Sequence, residues 1–187
     1  MELKTATRKI GGVAEVIDNA IPNTEYLLDQ IQKVAKWDQS VVGGGTSRHD
    51  AEIRDNDSYF INPLEFANIT PDLYALHRHV WFYLDDYGRR YDVGFSTLEP
   101  ACVNRYFPGQ RYKAHADAGP MLPRVISAVL YLNTVSDGGE THFIYHNESV
   151  SPVAGRLLIF PSDYSFTHSA LPPKEETKYA IAYWTKH

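Results

Sequence analysis

The chain has 187 residues, the size of one domain with a sizeable buried core. Hydrophobic residues make up 43% and charged residues 22%, the balance of a globular protein, and a net charge of −5 gives no overall attraction to nucleic acid or to an anionic membrane. Cys102 is the only cysteine, so no intrachain disulfide can form and a reducing, cytoplasmic setting is expected.

Met1 to Ile10 is polar and mixed in charge, without the pattern of a signal peptide. Val13 to Ala20 alternates as an early strand. Pro22-Asn23-Thr24 then offers a helix start with Thr24 as N-cap, and Tyr26, Leu27, Ile31, Val34 and Trp37 recur at helical spacing over 25–37. Gly43-Gly44-Gly45 is a turn; no Lys-Ser/Thr follows it, so it is not a phosphate loop. Together with the polar stretch His49 to Asp57 it is expected to form a lid. Thr70-Pro71-Asp72 opens a second helix, with Leu73, Leu76, His77, Val80, Trp81, Leu84 and Tyr87 on one face and an end near Gly88. His77 and His79 are expected to be ordinary helix histidines.

From residue 95 the pattern changes to short strands: 96–106, 110–116, 125–132, 140–144, 150–153, 156–160, 168–170 and 179–185. Turn signals at Asp137-Gly138-Gly139, Ala154-Gly155 and Pro172-Pro173 separate several of them. The longest apolar run, Val125 to Leu132, is far too short to span a bilayer. Such close strand spacing predicts a sandwich or jelly roll. The expected fold is mainly β with N-terminal helices (α+β): a single domain over 1–187, with helical support at about 20–90 and a double-stranded β-helix core at about 95–187.

Within this core, Asn104 to Ala114 runs into His115-Ala116-Asp117, and Pro108-Gly109 in its middle predicts a hairpin. Residues two apart on a strand point the same way, so His115 and Asp117 face one side together. His168 lies 51 residues beyond Asp117, and Lys178 ten beyond His168. Two imidazoles and one carboxylate suit iron(II) and leave further positions open, and a nearby lysine suits an acidic co-substrate. The tripeptide alone carries little weight. On the residues alone His168 is more often a half-buried histidine than a ligand, Tyr131 more often a core residue and Lys178 a snorkelling surface lysine. His142 and His146 flank Tyr145 with strand-compatible spacing, but this chemistry does not need them. Arg105, Arg111, Lys113 and Arg124 bracket His115-Ala116-Asp117, and most of them are expected to be solvated charge.

The ordered company of these residues resembles the iron(II)- and 2-oxoglutarate-dependent dioxygenases, in their prolyl 4-hydroxylase-like branch. The likeness covers about residues 50–187. It runs through Glu52-Ile53-Arg54, the block from Tyr106 to Asp117, Arg124 to Asn133, Gly138-Gly139-Glu140-Thr141, Gly155 to Phe160 before His168, and Lys178-Tyr179-Ala180.

The resemblance implies a double-stranded β-helix with His115, Asp117 and His168 as catalytic iron(II) ligands. It implies Lys178 in a charge-assisted contact with the distal carboxylate of 2-oxoglutarate, hydrogen-bonded also by Tyr106 and Tyr131. Arg124 and Arg54 match positions that reach toward the substrate. The implied reaction takes O2, converts 2-oxoglutarate to succinate and CO2, and hydroxylates an unactivated C–H bond, with L-ascorbate keeping the iron reduced. Proline in a peptide or protein is the leading substrate. A free amino acid or other small molecule, and a non-catalytic metal-binding jelly roll, are the alternatives. No extended basic groove for nucleic acid is visible, and oligomeric state is not legible.

Overall fold

A computed structural model describes residues 3–42, 48–61 and 71–187. The glycine triplet at 43–45 and the helix start at Thr70 lie outside the described residues.

The N-terminal part holds β1 (Arg8–Ile10), β2 (Ala14–Ile17), α1 (Thr24–Val34), β3 (Asp38–Gln39), β4 (Asp57–Ile61) and α2 (Pro71–Tyr91). The β-helix proper follows: β5 (Thr97–Leu98), β6 (Ala101–Tyr106), β7 (Tyr112–His115), β8 (Arg124–Tyr131), β9 (Thr141–Phe143), β10 (Glu148–Val150), β11 (Leu157–Pro161), β12 (His168–Ala170) and β13 (Lys178–Lys186). Among the described residues these form a large sheet in the order β1-β2-β11-β8-β13-β6-β4-β3, with β5 added to β13, and a small sheet β10-β9-β12-β7.

Strand periodicity explains how the layers stack. On β8, Ile126, Ala128 and Leu130 join a core that also takes Leu27 and Ile31 of α1 and Leu73, Val80, Leu84 and Tyr87 of α2. The alternate residue Tyr131 belongs instead to the core between the sheets, with Phe143 of β9 and Phe160 of β11. On β13, Ile181 and Tyr183 face the helices. Lys178, Ala180, Ala182 and Trp184 face the interior between the sheets, where they line a cavity. A one-residue slip of β13 would put Lys178 against the helices.

Both helices form as the spacing predicts, with shifted ends. Asn23, in the left-handed region at φ 56°, caps α1 without a side-chain bond, so Thr24 is its first residue rather than its N-cap. Trp37 lies past the end of α1, where its ring receives the Arg105 guanidinium at 4.4 Å. The buried face of α2 keeps Leu73, Leu76, Val80, Leu84 and Tyr87 of the predicted set, adds Tyr83 and leaves His77 and Trp81 half-buried, and the helix runs one turn past Gly88 to Tyr91. A fully buried carboxylate, Glu15 on β2, ties α2 to the sheet. It accepts from Arg90 Nη1 at 2.6 Å and Nη2 at 2.8 Å, and from the Tyr91 hydroxyl at 2.9 Å.

The hairpin expected over 104–117 is not formed. β6 pairs with β13 and β4 in the large sheet, whereas β7 pairs with β12 in the small one. The Pro108-Gly109 turn therefore carries the chain from one sheet to the other, with the Gly109 N–H donating to Pro173 O at 2.9 Å. Alternation on either side of a turn is the same for a hairpin and for an inter-sheet crossing. The partner each arm finds decides between them. Strands β1, β3 and β4 were not expected. β4 matters most, because it extends the wall of the cavity beyond β6.

Candidate active site

The cavity between the sheets has a volume of about 320 Å³ and is lined by His115, Asp117, His168, Lys178, Tyr106, Tyr112, Thr141, Arg54 and Arg124 among others. Register brings the first three together. His168 of β12 is the direct cross-strand partner of His115 of β7, which sets their rings 4.5 Å apart. Asp117 sits just past β7, where the next N–H, that of Ala118, donates to Ser162 O at 2.8 Å. Its carboxylate then lies between the imidazoles, with Oδ1 at 3.7 Å from His115 Nε2 and Oδ2 at 3.9 Å from His168 Nε2.

One ligand atom from each of the three residues lies within 4.8 Å of the others, the only such group among the described residues. Neighbouring groups hold each ligand in place. His115 Nδ1 contacts Lys113 O at 2.9 Å and His168 Nδ1 contacts Phe166 O at 3.0 Å, so both Nε2 atoms are free to ligate. Ser127 Oγ donates to Asp117 Oδ2 at 2.7 Å and is itself braced by Ser162 Oγ at 2.8 Å. Burial, reinforced by His168, pushes the His115 pKa down and favours the neutral, ligating ring. Burial pushes Asp117 the other way, but His168, His115 and the Ser127 hydroxyl outweigh it and hold the carboxyl below its usual range. A neutral imidazole and an ionised carboxylate facing one point fit a divalent iron.

Lys178 starts β13 opposite Tyr106 on β6. It is 2% exposed, and burial pushes its pKa down to about 7, with Glu140 only partly opposing. Its Nζ stands 5.3 Å from the Tyr106 ring centre and 5.5 Å from that of Tyr131, and makes no hydrogen bond or ion pair among the described residues. Tyr106 lines the cavity. Tyr131 lies behind it, with its hydroxyl donating to Thr141 Oγ1 at 2.8 Å, and Thr141 is the group that reaches the cavity.

The two arginines differ. Arg124 is neutralised by Glu99, its Nη2 lying 2.8 Å from the carboxylate, and it stacks 3.8 Å from the Trp184 ring centre. Arg54 follows a turn at 51–53. It pairs with Tyr112 through an isolated bridge and lies 4.8 Å over that ring. Tyr112 in turn stacks on His115 at 3.7 Å and 16°. Of the other bracketing charges, Arg105 is paired with Asp57 at 2.6 Å. His142 bonds Ser149 Oγ at 3.0 Å and His146 stacks on Phe166, with no third ligand beside them among the described residues.

Four residues at the site had no role assigned from sequence. Thr141 lies in the Gly-Gly-Glu-Thr turn, and its place in a quoted motif was the available signal. Ser127 and Tyr112, in the Arg124–Asn133 and Tyr106–Asp117 stretches, shared that signal; Trp184 carried none, because its facing partner comes from another part of the chain.

Residues 101–186 match the model of the 2OG-Fe(II) oxygenase superfamily. The chain therefore carries a 2OG-Fe(II) oxygenase domain over these residues. No curated protein matches it in sequence. Among solved structures, this oxygenase is similar to the viral collagen prolyl hydroxylase of Paramecium Bursaria Chlorella virus-1 in its 2OG complex. The TM-score is 0.69 at 20% identity, over 94% of this chain and 96% of that one. A Pseudomonas putida prolyl-4-hydroxylase gives a TM-score of 0.73 at 19% identity, over 94% and 92%. A Trichoplax adhaerens prolyl hydroxylase, in complex with a hypoxia inducible factor oxygen degradation domain peptide fragment, gives 0.74 at 20% identity, over 94% and 84%. The shared fold is the jelly roll expected from the strand spacing.

Proposed function

We propose that this oxygenase hydroxylates proline within a peptide or protein. Lys178 carries the co-substrate part of the reading. A buried ammonium without an anionic partner among the described residues, in the same cavity as His115, Asp117 and His168, is complementary to the distal carboxylate of 2-oxoglutarate. Tyr106 and Thr141 border the same space, and Tyr131 supports the carboxylate end through the Thr141 hydroxyl.

His115, Asp117 and His168 would hold iron(II). Together with 2-oxoglutarate and O2 it supplies the oxidant, yielding succinate, CO2 and one oxygen atom for the C–H bond. The chain's own residues bind and orient. Ser127 fixes Asp117, the Phe166 and Lys113 carbonyls fix the two imidazoles, and Phe143 and Phe160 pack against His168 at 5.9 and 4.9 Å between ring centres. Arg54 and Arg124 stand on the cavity wall as the substrate-facing cations. Ascorbate as reductant and a cytoplasmic location complete the reading. The sole, buried cysteine supports a reducing compartment, and among the described residues no helix is long and apolar enough to cross a membrane.

The proline assignment is supported by the prolyl hydroxylases above, one of them complexed with a peptide. It is also supported by a second cavity that continues from the first along β4. The test pairs an anaerobic titration of iron(II) and 2-oxoglutarate, read by the visible charge-transfer band of the chelate, with a proline-peptide screen read by mass gain of one oxygen. A band that is lost in His168→Ala, together with oxygenated proline in a peptide, is expected. Oxygenation of free amino acids while every peptide stays unmodified would refute it.

A further inference from the structure

Arg54 stands where the two cavities meet. Arg54, Val41 and Phe60 line both the catalytic cavity and the neighbouring one, whose volume is about 580 Å³. The charges around this junction do not balance. In the catalytic cavity Asp117 is committed to the metal group, Arg124 is neutralised by Glu99, and Lys178 faces the co-substrate. Asp38 is the one carboxylate lining the second cavity among the described residues, against Lys36 and Arg54.

Arg54 itself has only neutral partners among the described residues. Its Nε donates to Asn56 Oδ1 at 3.0 Å, Nη1 to Val41 O at 3.3 Å and Nη2 to Asn104 Oδ1 at 2.9 Å. The Cys102 thiol beside it is kept neutral, its pKa raised by burial. A guanidinium has five N–H donors; three go to these oxygens and a fourth to the Cys102 thiol, which leaves one unspent. Nearby carboxylates are engaged elsewhere: Asp57 with Arg105, Asp50 with Arg48, and Asp55 with Gln110. A largely desolvated cation left without a counter-charge is costly unless a ligand supplies one.

Resting on the peptide reading above, we propose that the substrate peptide carries an acidic side chain and that Arg54 receives its carboxylate where the cavities meet. Spacing limits where that side chain falls. The guanidinium lies 4.8 Å from the Tyr112 ring, which lies 3.7 Å from the His115 ring. Extended chain advances about 3.3–3.6 Å per residue, so the acid belongs within about three residues of the oxidised proline. The Arg54–Tyr112–His115 stack lets one guanidinium mark substrate register next to a metal ligand. The guanidinium itself is held by Asn56 and Asn104, so it does not need to reorganise to bind.

The test uses matched proline peptides with Asp or Glu at each nearby position, and the same peptides with Asn or Gln. Hydroxylation by the iron- and 2-oxoglutarate-loaded enzyme and equilibrium binding to the metal-free protein, read by tryptophan fluorescence, are both measured. Wild type is expected to prefer an acidic peptide at least about tenfold over its amide counterpart, the value of one charge-assisted hydrogen bond, mainly in KM. Arg54→Gln is expected to erase this ratio and Arg54→Lys to keep part of it. The ratio is taken within one protein, so a variant weakened overall still reports. Equal use of acidic and amide peptides by wild type overturns the inference and leaves the peptide reading standing. Failure of every peptide, despite a normal charge-transfer band, overturns both.

Discussion

Lys178 makes a demand on the fold that can be measured without any substrate. An unfolded lysine titrates near 10.5, whereas burial lowers Lys178 to about 7. Below pH 7 the folded protein therefore holds a buried ammonium that the unfolded chain would hold in water. Each pH unit between the two values is worth about 1.36 kcal/mol, so this lysine costs the apo-protein about 5 kcal/mol below pH 7. From pH 7 to 10.5 the unfolded chain binds more protons than the folded one, so the cost shrinks as pH rises and vanishes near 10.5. Lys178→Met keeps the length and apolar stem and removes the charge. For a domain of this size about 1 kcal/mol moves Tm by about 2–4 °C, so the variant should melt about 10–20 °C above wild type at neutral pH. The assay is thermal unfolding of both proteins, free of metal and 2-oxoglutarate, across neutral to alkaline pH. A variant no more stable than wild type at pH 7, or a gap that does not narrow toward about pH 10, would refute the argument. The same variant should lose the low-concentration 2-oxoglutarate response of the charge-transfer band. In wild type, 2-oxoglutarate affinity should fall as pH rises above about 7, because the neutral amine no longer attracts the carboxylate.

Three further outcomes follow from contacts in the structure. Ser127→Ala removes the 2.7 Å bond to Asp117 and should weaken iron(II) binding by about 10–100-fold while the fold stays intact, as read by metal titration and circular dichroism. Thr141→Val keeps the shape but removes the hydroxyl between Tyr131 and the cavity; the Kd for 2-oxoglutarate should rise about tenfold with iron affinity unchanged. Glu15→Gln removes the buried carboxylate, while Arg90 stays partly in solvent and keeps Asp86, so the protein should lose about 1–2 kcal/mol in denaturant unfolding, and an unchanged midpoint would show that the pair is dispensable.

How much was legible from sequence depended on how local each signal was. Helical spacing in α1 and α2 and the alternation of most strands from β6 to β13 are set by neighbours a few residues away, so their existence could be read, although Tyr26 and Val34 of the expected α1 face are exposed and the strand expected at 150–153 forms at Glu148–Val150. Thr24 was misplaced because the cap is set by the left-handed backbone of Asn23, which composition does not reveal. β3 and β4 were not anticipated because such short strands gain their stability from the edge they join, β6 for β4 and β4 for β3.

His115, Asp117, His168 and Lys178 were suggested by residue type, since the chemistry of a metal and an acidic co-substrate limits which side chains serve, and were assigned through the family resemblance of the ordered motifs around them. Their meeting point was decided by tertiary structure. The crossing at Pro108-Gly109 puts β7 beside β12, and that register sets His115 against His168. The phase of β13 buries Lys178 next to Tyr106 and lowers its pKa. Partner choice separated Arg54 from Arg124. Both are arginines in quoted motifs, but only folding brought Glu99 to one and left the other, among the described residues, with neutral oxygens. Charge balance depends on distances in space, and a sequence specifies those only through the fold.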